Sequence, residues 1–409
     1  MRLRAGLDFD TTVAVAVLGW DAGARQAAAQ WDDGFRANPL PVSPLLLRPD
    51  APLTGLLRPR GRGFGDLPGL FGDSLPDGWG RLLIDRDLAA RGRARHDITD
   101  LDRLAMIGRD GMGALSYAPE TPGKDGDISL DWFDRLVPEI GGDTAADDLE
   151  RLRRMAGGSQ GARPKFVAQL SDDNGHLRGH RLAHAPGWRH VLVKRRALSD
   201  PVGAIEAELA FAVMARAAGI DMPDTAILRA SSAEPFLVST RFDRQGPARR
   251  HMQTVAALLD VDFRSATLDY DQLLRITKLL TRDQRAVEQM ALRMVFNARA
   301  HNRDDHLKNH AFLMEPRGEW RLSPAYDLSF SSGPGGEHTL TIAGEGRRPG
   351  AADFVRAAQS AGIRPARMRQ MTAAVDDALA DWPRQADRAG VPAPLRHEIG
   401  QAIQTARGW

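Results

Sequence analysis

Residues 297–327 read NARAHNRDDHLKNHAFLMEPRGEWRLSPAYD, and what this stretch joins decides the fold. Just before and into it, residues 283–300 carry Val287, Met290, Ala291, Met294 and Val295 at helical spacing, which predicts a helix with a buried face. Further on, Ala311-Phe312-Leu313 and Trp320-Arg321-Leu322 read as two short strands, with Pro316, Arg317 and Gly318 between them. A polar knot, residues 301–309, therefore sits between a buried helix and a hairpin. Asp327 arrives as the second strand ends. Asp304, Asn309 and Asp327 are thus candidates to converge on one spot. One carboxylate can accept a proton from an alcohol, while an Asn and a second carboxylate can hold Mg²⁺ through oxygen. The spacing D-x-x-x-x-N, then a hairpin, then a further Asp, is a kinase layout.

Two other readings fit the same residues. Asp304, Asp305 and His306 suit a solvated loop with an N-cap, because D-x-x-x-x-N is a short pattern of common residues. His301, Asp304, Asp305, His306 and His310 also make a candidate metal-hydrolase cluster, which needs rigid ligands and a defined outer shell. No further His/Asp pair at ligand spacing occurs downstream.

Upstream residues favour the kinase layout. In GGSQGARPKF (157–166), Gly157, Gly158 and Gly161 let backbone N–H groups approach an anion, and Arg163 and Lys165 add positive charge. This is neither a Walker A loop nor G-x-G-x-x-G, and alone it reads as a flexible turn. Lys194 ends the apolar run of RHVLVKRR, and Glu206 and Glu208 come next on the helical run IEAELAFAVMARAAGI. A strand Lys paired with a helix Glu is how protein kinases hold the α- and β-phosphates. The bland alternatives are an edge-strand solubility residue for Lys194, with Arg195 and Arg196 beside it, and a solvated helix face for the two glutamates. After the β-branched run 236–240, main-chain groups of 239–242 are placed to meet an adenine edge.

Bulk properties narrow the class. A chain of 409 residues has room for two or three domains and a sizeable core. Its 43% hydrophobic and 26% charged residues lie in the ordinary globular range, so packed domains are expected. A formal net charge of +2 is no polyanion-binding signature, so contact with nucleic acid would come from a local patch or a partner. With no cysteine, disulfides and thiolate metal sites are excluded, as fits a cytosolic protein. The start MRLRAGLDFD lacks a signal-peptide apolar core, and no apolar run approaches 18 residues. A soluble cytoplasmic protein without membrane contact is expected.

Residues 1–118 read as a small α+β unit. A strand is expected at 12–18 and a loop at Gly61, Gly63, Gly65, Pro68 and Gly69. In FGDSLPDGWGRLLIDRDLAARG (71–92), Asp77 or Asp73 caps a helix carrying Trp79, Leu82, Leu83 and Leu88. RLAMIGRDGMGALSY (103–117) gives a helix, a Gly turn and a strand. Asp77, Arg81, Arg109 and Asp110 read as caps and surface pairs. Pro119, Pro122 and Gly123 suggest a linker, and 143–156 a helix with acids early and arginines late, as the helix dipole prefers. Strands are expected at 167–170, 225–228 and 236–240. From about residue 253 the texture turns helical: 254–259, 271–280 and 283–300, then 352–361, 365–380 and 394–407. Residues 333–350 form a loop-rich excursion with one strand.

Assembled, these segments resemble the HipA family, bacterial serine/threonine kinases that act as toxins of type II toxin–antitoxin systems. The resemblance runs nearly end to end. SLPDGWGRLLID and RLAMIGRDGMGALSY are similar to the family's N-terminal subdomain, GGSQGARPKF to its Gly-rich loop, VLVK to its lysine strand, and EAELAFAVMARAAGI to its helix. FLVSTRFDR is similar to its hinge, NRDDHLKNHAF to its catalytic loop, and SPAYDL to its metal Asp segment. The resemblance implies an α+β, protein-kinase-like fold in two parts, an α/β N-terminal part and a mostly helical C-terminal part. The expected division is 1–118, an N-terminal subdomain; 119–245, a kinase N-lobe with Gly-rich loop and hinge; and 246–409, a helical C-lobe.

Carried onto this chain, the resemblance implies Asp304 as the base for the substrate hydroxyl, with His306 and Lys308 as supporting members. Lys308 would neutralise the γ-phosphate. It implies Asn309 and Asp327 as Mg²⁺ ligands and Lys194 on the phosphates of ATP. Gly158, Ser159 and Gly161 would form the loop that Lys165 clamps, Glu208 would sit on the helix, and Thr240 and Phe242 would frame adenine. The family's targets are proteins, typically aminoacyl-tRNA synthetases. Its inhibitor is a helix-turn-helix antitoxin of the HipB type, through which DNA is reached. The family also inactivates itself by phosphorylating a loop serine, and Ser159 is the hydroxyl residue between Ala156 and Phe166. A dianionic phosphate there would repel ATP and unseat the loop.

Three functions are therefore set against one another. The first is an active protein kinase toxin. The second is a toxin-like binding module that holds its antitoxin on DNA without catalysis, against which stands the presence of every motif residue. The third is a small-molecule kinase, which shares the D-x-x-x-x-N logic.

Overall fold

Leu3, Ala5 and Leu7 are buried on the strand Arg2–Asp8, while Arg2 and Arg4 are exposed, the alternation of a half-buried strand. That strand is an interior one in the first sheet of the computed structural model, which describes residues 1–47, 52–61, 63–120, 126–138, 145–265 and 268–409. The linker expected at Pro122 and Gly123 lies outside these. The sheet runs in the order Leu56–Leu57, Gln26–Trp31, Thr12–Asp21, Arg2–Asp8, Leu115–Ala118. Its pairs are antiparallel, with Ala5 opposite Tyr117 and Leu7 opposite Leu115. The strand expected at 12–18 is thus found, longer at its C-terminal end. The helix expected in 71–92 spans Gly78–Ala90, burying Trp79, Leu83 and Leu88 and leaving Leu82 exposed. Asp77 occupies its N-cap position without a capping hydrogen bond.

In the second sheet, Leu177–Gly179, Lys165–Ser171, Trp188–Lys194 and Pro235–Thr240 succeed one another, again antiparallel. Phe166, Ala168, Leu170, Val191, Val193, Phe236 and Val238 form one buried cluster with Trp79, Phe133, Leu149 and Leu152. The helix Ala146–Ala156 contributes Leu149, Leu152, Met155 and Ala156 to the core, the i, i+3, i+6, i+7 stripe of an amphipathic helix. Its Arg153 is buried and ion-paired with Asp87 at 2.5 Å, so burying that charge is compensated.

Chain contacts separate two compact units. The first comprises Met1–Leu198, Leu228–Asp262 and Phe312–Glu319, and the second Ser199–Ile227, Phe263–Ala311 and Trp320–Trp409. The second is helical. Gln284–Arg299, capped by Asp283, is its most buried helix. Tyr270–Thr281 starts with a capping box formed by Asp269 and Gln272. Phe211 of the helix Ala204–Ala217 packs edge-on against Phe296 at 6.1 Å and Trp382 at 5.5 Å, joining three helices. Helices Ala351–Gln359, Pro365–Ala380 and Ala393–Arg407 lie within two residues of their expected places.

The strand expected within 333–350 does not form. Only isolated bridges occur there, Thr341 to Asp269 and Ile342 to Glu345. Gly333, Gly335, Gly336 and Gly344 hold positive φ, and the backbone N–H groups of Thr339 and Leu340 donate to the Asp305 carboxylate instead of to a ladder.

Candidate active site

The helix Gln284–Arg299 ends at Ala300, and His301 turns the chain out of it with φ 58°. A non-glycine residue in that region is costly, and it is held there by its surroundings. Asn302 N donates to the Asn297 carbonyl, and Asn302 Nδ2 donates to Asn297 Oδ1 at 3.0 Å. Asn297 Nδ2 in turn donates to the Tyr270 hydroxyl at 2.9 Å, which donates to Asp305 Oδ2 at 3.1 Å. Every donor in this chain points the same way, towards one carboxylate. Burial, and after it the charge of Asp305, pushes the Tyr270 phenol well above its ordinary pKa, which keeps it a donor.

Asp304 and Asp305, neighbours in sequence, have opposite surroundings. The Asp305 side chain is 0% exposed and is further engaged by His338 Nδ1 at 3.2 Å and by the N–H groups of Thr339 and Leu340. The Asp304 side chain is 51% exposed, with His306 Nε2 3.8 Å from its Oδ1. Asp305 therefore anchors the loop and Asp304 is presented to solvent. Reading this stretch as an ordinary solvated loop fails, because most of it is buried and tied at both ends.

Leu307–Asn309 make a single 3-10 turn that aims Asn309 back at the loop. Asn309 Nδ2 donates to the Asp304 carbonyl at 2.7 Å, so its Oδ1 is the side-chain atom left to act as a ligand. The Tyr326 hydroxyl donates to the Lys308 carbonyl at 2.7 Å, and the next residue, Asp327, takes φ 55°. Asn309 and Asp327 line one small cavity together with Asn297, Asn302, Asp305 and His310. Its space is about 10 Å³, the scale of one water or ion. Two oxygen donors suit Mg²⁺, which takes one or two protein ligands and completes its shell with water and phosphate. Among the described residues no group of three or more His, Asp or Glu side chains is arranged to hold a metal, so the hydrolase cluster of His301, Asp304, Asp305, His306 and His310 does not assemble. Burial lowers the His310 pKa to about 4, and the ring packs edge-on to Tyr270 as a neutral imidazole. Lys308 is 6% exposed, its Nζ 4.9 Å from the Phe263 ring, which also meets His306 at 4.7 Å.

The first unit holds the other predicted residues. Lys165 and Lys194 lie opposite each other in the register of adjacent strands, and each is 5% exposed. The register sets two like charges directly opposite each other. It also rules out the exposed-edge reading of Lys194, whose strand is flanked on both sides. Lys165 Nζ donates to the Gln160 carbonyl at 2.5 Å, clamping the loop of Gly158, Ser159 and Gly161. Ser159 is 3% exposed and its Oγ donates to the Ala156 carbonyl at 2.7 Å, so the hydroxyl nominated for self-phosphorylation is sealed in this loop conformation. Thr240 and Phe242 are half-buried at the end of the strand Pro235–Thr240. In the second unit, Glu206 is 7% exposed and Glu208 half-buried, so the solvated-face reading fails for Glu206.

Sequence reasoning missed Asp243. It is fully buried and accepts from Arg241 Nη2 at 2.7 Å, Arg244 Nη1 at 2.6 Å and Gly113 N at 2.6 Å. Burial alone would raise its carboxyl, but the two guanidinium charges reverse this and hold it well below the carboxylate range. The signal was the alternation of charges in RFDR, which reads as surface until its burial is known. Asp305 was named only in the solvated-loop and hydrolase readings, and its anchoring role was missed because it is the same residue type as Asp304.

Comparison with known proteins matches the HipA N-terminal domain to residues 11–118 and the HipA-like C-terminal domain to residues 157–382. A putative kinase, Y4dM, from Sinorhizobium fredii is 26% identical over 276 residues, 64% of this chain. The chain spans 62% of that relative's length. HipA of the Shewanella oneidensis MR-1 complex of HipA, HipB and operator DNA superposes with a TM-score of 0.68 at 17% identity, covering 98% of this chain and 95% of that one. That likeness shows a shared α+β fold. The proinflammatory kinase CtkA of Helicobacter pylori gives a TM-score of 0.36 at 9% identity, covering 53% of this chain and 86% of that one. With both domains of the family matched in order and more than half of the chain inside the C-terminal one, this protein belongs to the HipA family.

Proposed function

We propose that this chain is a kinase toxin that transfers the γ-phosphoryl group of ATP to a serine or threonine hydroxyl of a bacterial protein. The observation that carries the reading is the division of labour between adjacent acids: Asp305 is buried and fully engaged, while Asp304 stands exposed beside Asn309. An exposed carboxylate on a loop held rigid from behind would accept a hydroxyl proton as the oxygen attacks phosphorus and ADP leaves. Asn309 Oδ1 and the Asp327 carboxylate would hold Mg²⁺, which when bound neutralises charge on the phosphoryl oxygens. Lys165 and Lys194 would take the nucleotide's phosphates, with Gly158, Ser159 and Gly161 offering backbone N–H groups and Thr240 to Phe242 framing adenine. Lys308 would add charge at the γ-phosphate, and His306 would limit the rotamers of Asp304. Glu208, on the helix Ala204–Ala217, is assigned a nucleotide-binding role from the family resemblance alone. The kinase name carried by the Sinorhizobium relative supports the activity.

The proposed partner is a helix-turn-helix antitoxin of the HipB type, with DNA reached through it, supported by the composition of the Shewanella complex. An aminoacyl-tRNA synthetase is the class of target the family resemblance suggests. No helix among the described residues is long and apolar enough to cross a membrane, and we assign the activity to the cytoplasm. Ser159 is the proposed self-phosphorylation site, and its burial requires the loop to leave its seat first. Intact-mass measurement after Mg-ATP incubation tests this: the gain of one phosphate should vanish in Ser159→Ala, and its persistence at full stoichiometry excludes the site.

Phosphoproteomics after induced expression tests the function. New phosphoserine or phosphothreonine sites on one or a few proteins are expected. Labelling confined to low-mass metabolites would make the chain a small-molecule kinase instead, and no labelling at all would leave a binding module.

A further inference from the structure

Gln160 is held at both ends. Its carbonyl accepts from Lys165 Nζ at 2.5 Å, and its side-chain Nε2 donates to the Asp73 carbonyl at 2.7 Å and to Asp73 Oδ1 at 2.9 Å. Asp73 is a rigid acceptor. It is 7% exposed, its Oδ2 takes the Thr254 N–H at 2.7 Å and its Oδ1 the Thr254 hydroxyl at 2.8 Å. Thr254 in turn caps the helix Val255–Leu259. Asp73 was expected as a helix cap within 71–92, but Asp77 takes the N-cap position of Gly78–Ala90 and the Asp73 carboxylate accepts from Thr254 and Gln160.

Other contacts seat the same loop. Gly158 N donates to the Asp110 carbonyl at 3.1 Å, and Gly161 N lies 3.4 Å from Asp77 Oδ2. A Cβ on Gly158 would come within 2.8 Å of both the Gly111 Cα and the Ser74 carbonyl, so only glycine lets the backbone settle this close. Asp73, Ser74, Asp77, Asp110 and Gly111 all lie in the matched N-terminal domain, and the loop opens the matched C-terminal one. Of these contacts, only that of Asp73 with Gln160 joins a buried carboxylate to a side-chain donor of the loop. Hydrogen bonds to a charged acceptor are the stronger kind.

We propose that Asp73 is a positioning residue that keeps the Gly-rich loop seated through Gln160, and so sets the affinity for ATP. The inference rests on reading 157–166 as the nucleotide loop. It also gives the N-terminal domain a part in the reaction: the loop that offers its N–H groups, and the Lys165 tied to it, are in register only while Gln160 is latched. The same latch keeps Ser159 sealed.

The test uses the full chain and two independent readouts, amide hydrogen exchange over 157–161 and the ATP dependence of phosphoryl transfer with Mg²⁺ present. Gln160→Glu sets a like charge against Asp73, and Asp73→Asn in that background restores a donor facing an acceptor. Gln160→Glu should speed exchange in the loop by about tenfold and raise the KM for ATP about tenfold, with kcat within about twofold. The double variant should return both readouts most of the way. Loop exchange in Gln160→Glu at the wild-type rate overturns the latch, as does failure of Asp73→Asn to rescue. A purely structural defect would lower kcat and the folded fraction together and would not be rescued by the swap. Should the wild-type chain neither bind nor use ATP, the kinase reading falls, while the exchange measurement still decides the latch.

Discussion

At the scale of single residues, the sharpest contrast is Asp304 against Asp305. Removing Asp305 strands the Tyr270 hydroxyl and the N–H of Leu340 in buried surroundings, so Asp305→Ala should lower unfolding free energy by about 3 kcal/mol in urea titration. Asp304→Ala, at a half-exposed side chain, should change it by less than about 0.5 kcal/mol. Equal destabilisation by the two would contradict the division of labour. The D-x-x-x-x-N spacing was legible in the sequence, and the family resemblance is what proposes Asp304 over its neighbour. Why its neighbour must be an acid was not, because the groups that engage Asp305 lie at 270 and 338–340, far along the chain. The opposition of Lys165 and Lys194 was equally hidden, since strand register depends on which residues pair and not on either strand's own pattern.

At the scale of elements, periodicity served well where one face is buried: the helix expected at 283–300 is Gln284–Arg299, and the two strands expected after it are Ala311–Met314 and Trp320–Leu322. It failed for 333–350, where apolar and β-branched residues suggested a strand but the backbone donors are spent on carboxylates. The strand His251–Thr254 supplies a pH test. His251 is fully buried and donates from Nε2 to the Val42 carbonyl at 2.9 Å. Burial, only partly opposed by that bond, lowers its pKa from 6.5 to about 4. Between those values the unfolded chain binds a proton that the folded chain does not. The contribution is therefore intact above about pH 6.5 and lost as pH falls towards 4, at up to about 1.4 kcal/mol per pH unit. In His251→Gln, which keeps a donor but cannot titrate, the loss of stability between neutral pH and about pH 5 should shrink by about 1.5 kcal/mol. An unchanged pH profile would show that this histidine is not buried neutral.

At the scale of the molecule, each compact unit is assembled from separated stretches of chain, which a reading of texture along the sequence has no means to see. In the first unit, buried carboxylates bind segments of the N-terminal domain to residues 243–260: Asp243 takes the Gly113 N–H, Asp73 the Thr254 N–H, and Asp260 the Gly69 N–H. Asp243→Ala would leave Arg241 and Arg244 buried without their shared counterion, and should cost about 3–5 kcal/mol in denaturant unfolding of the full chain. A loss below about 1 kcal/mol would mean that these arginines are satisfied elsewhere. The proposed chemistry turns on one step, in which Asp304 takes the hydroxyl proton during phosphoryl transfer from Mg-ATP to protein. The measurement that reaches it most directly is the initial rate of label transfer from γ-labelled ATP to protein in a bacterial lysate, wild type against Asp304→Ala, with equal folding verified by thermal melting. A fall of about 100-fold or more at unchanged melting temperature is predicted. A folded Asp304→Ala chain that transfers label at the wild-type rate, or a wild-type chain that transfers none, would contradict it.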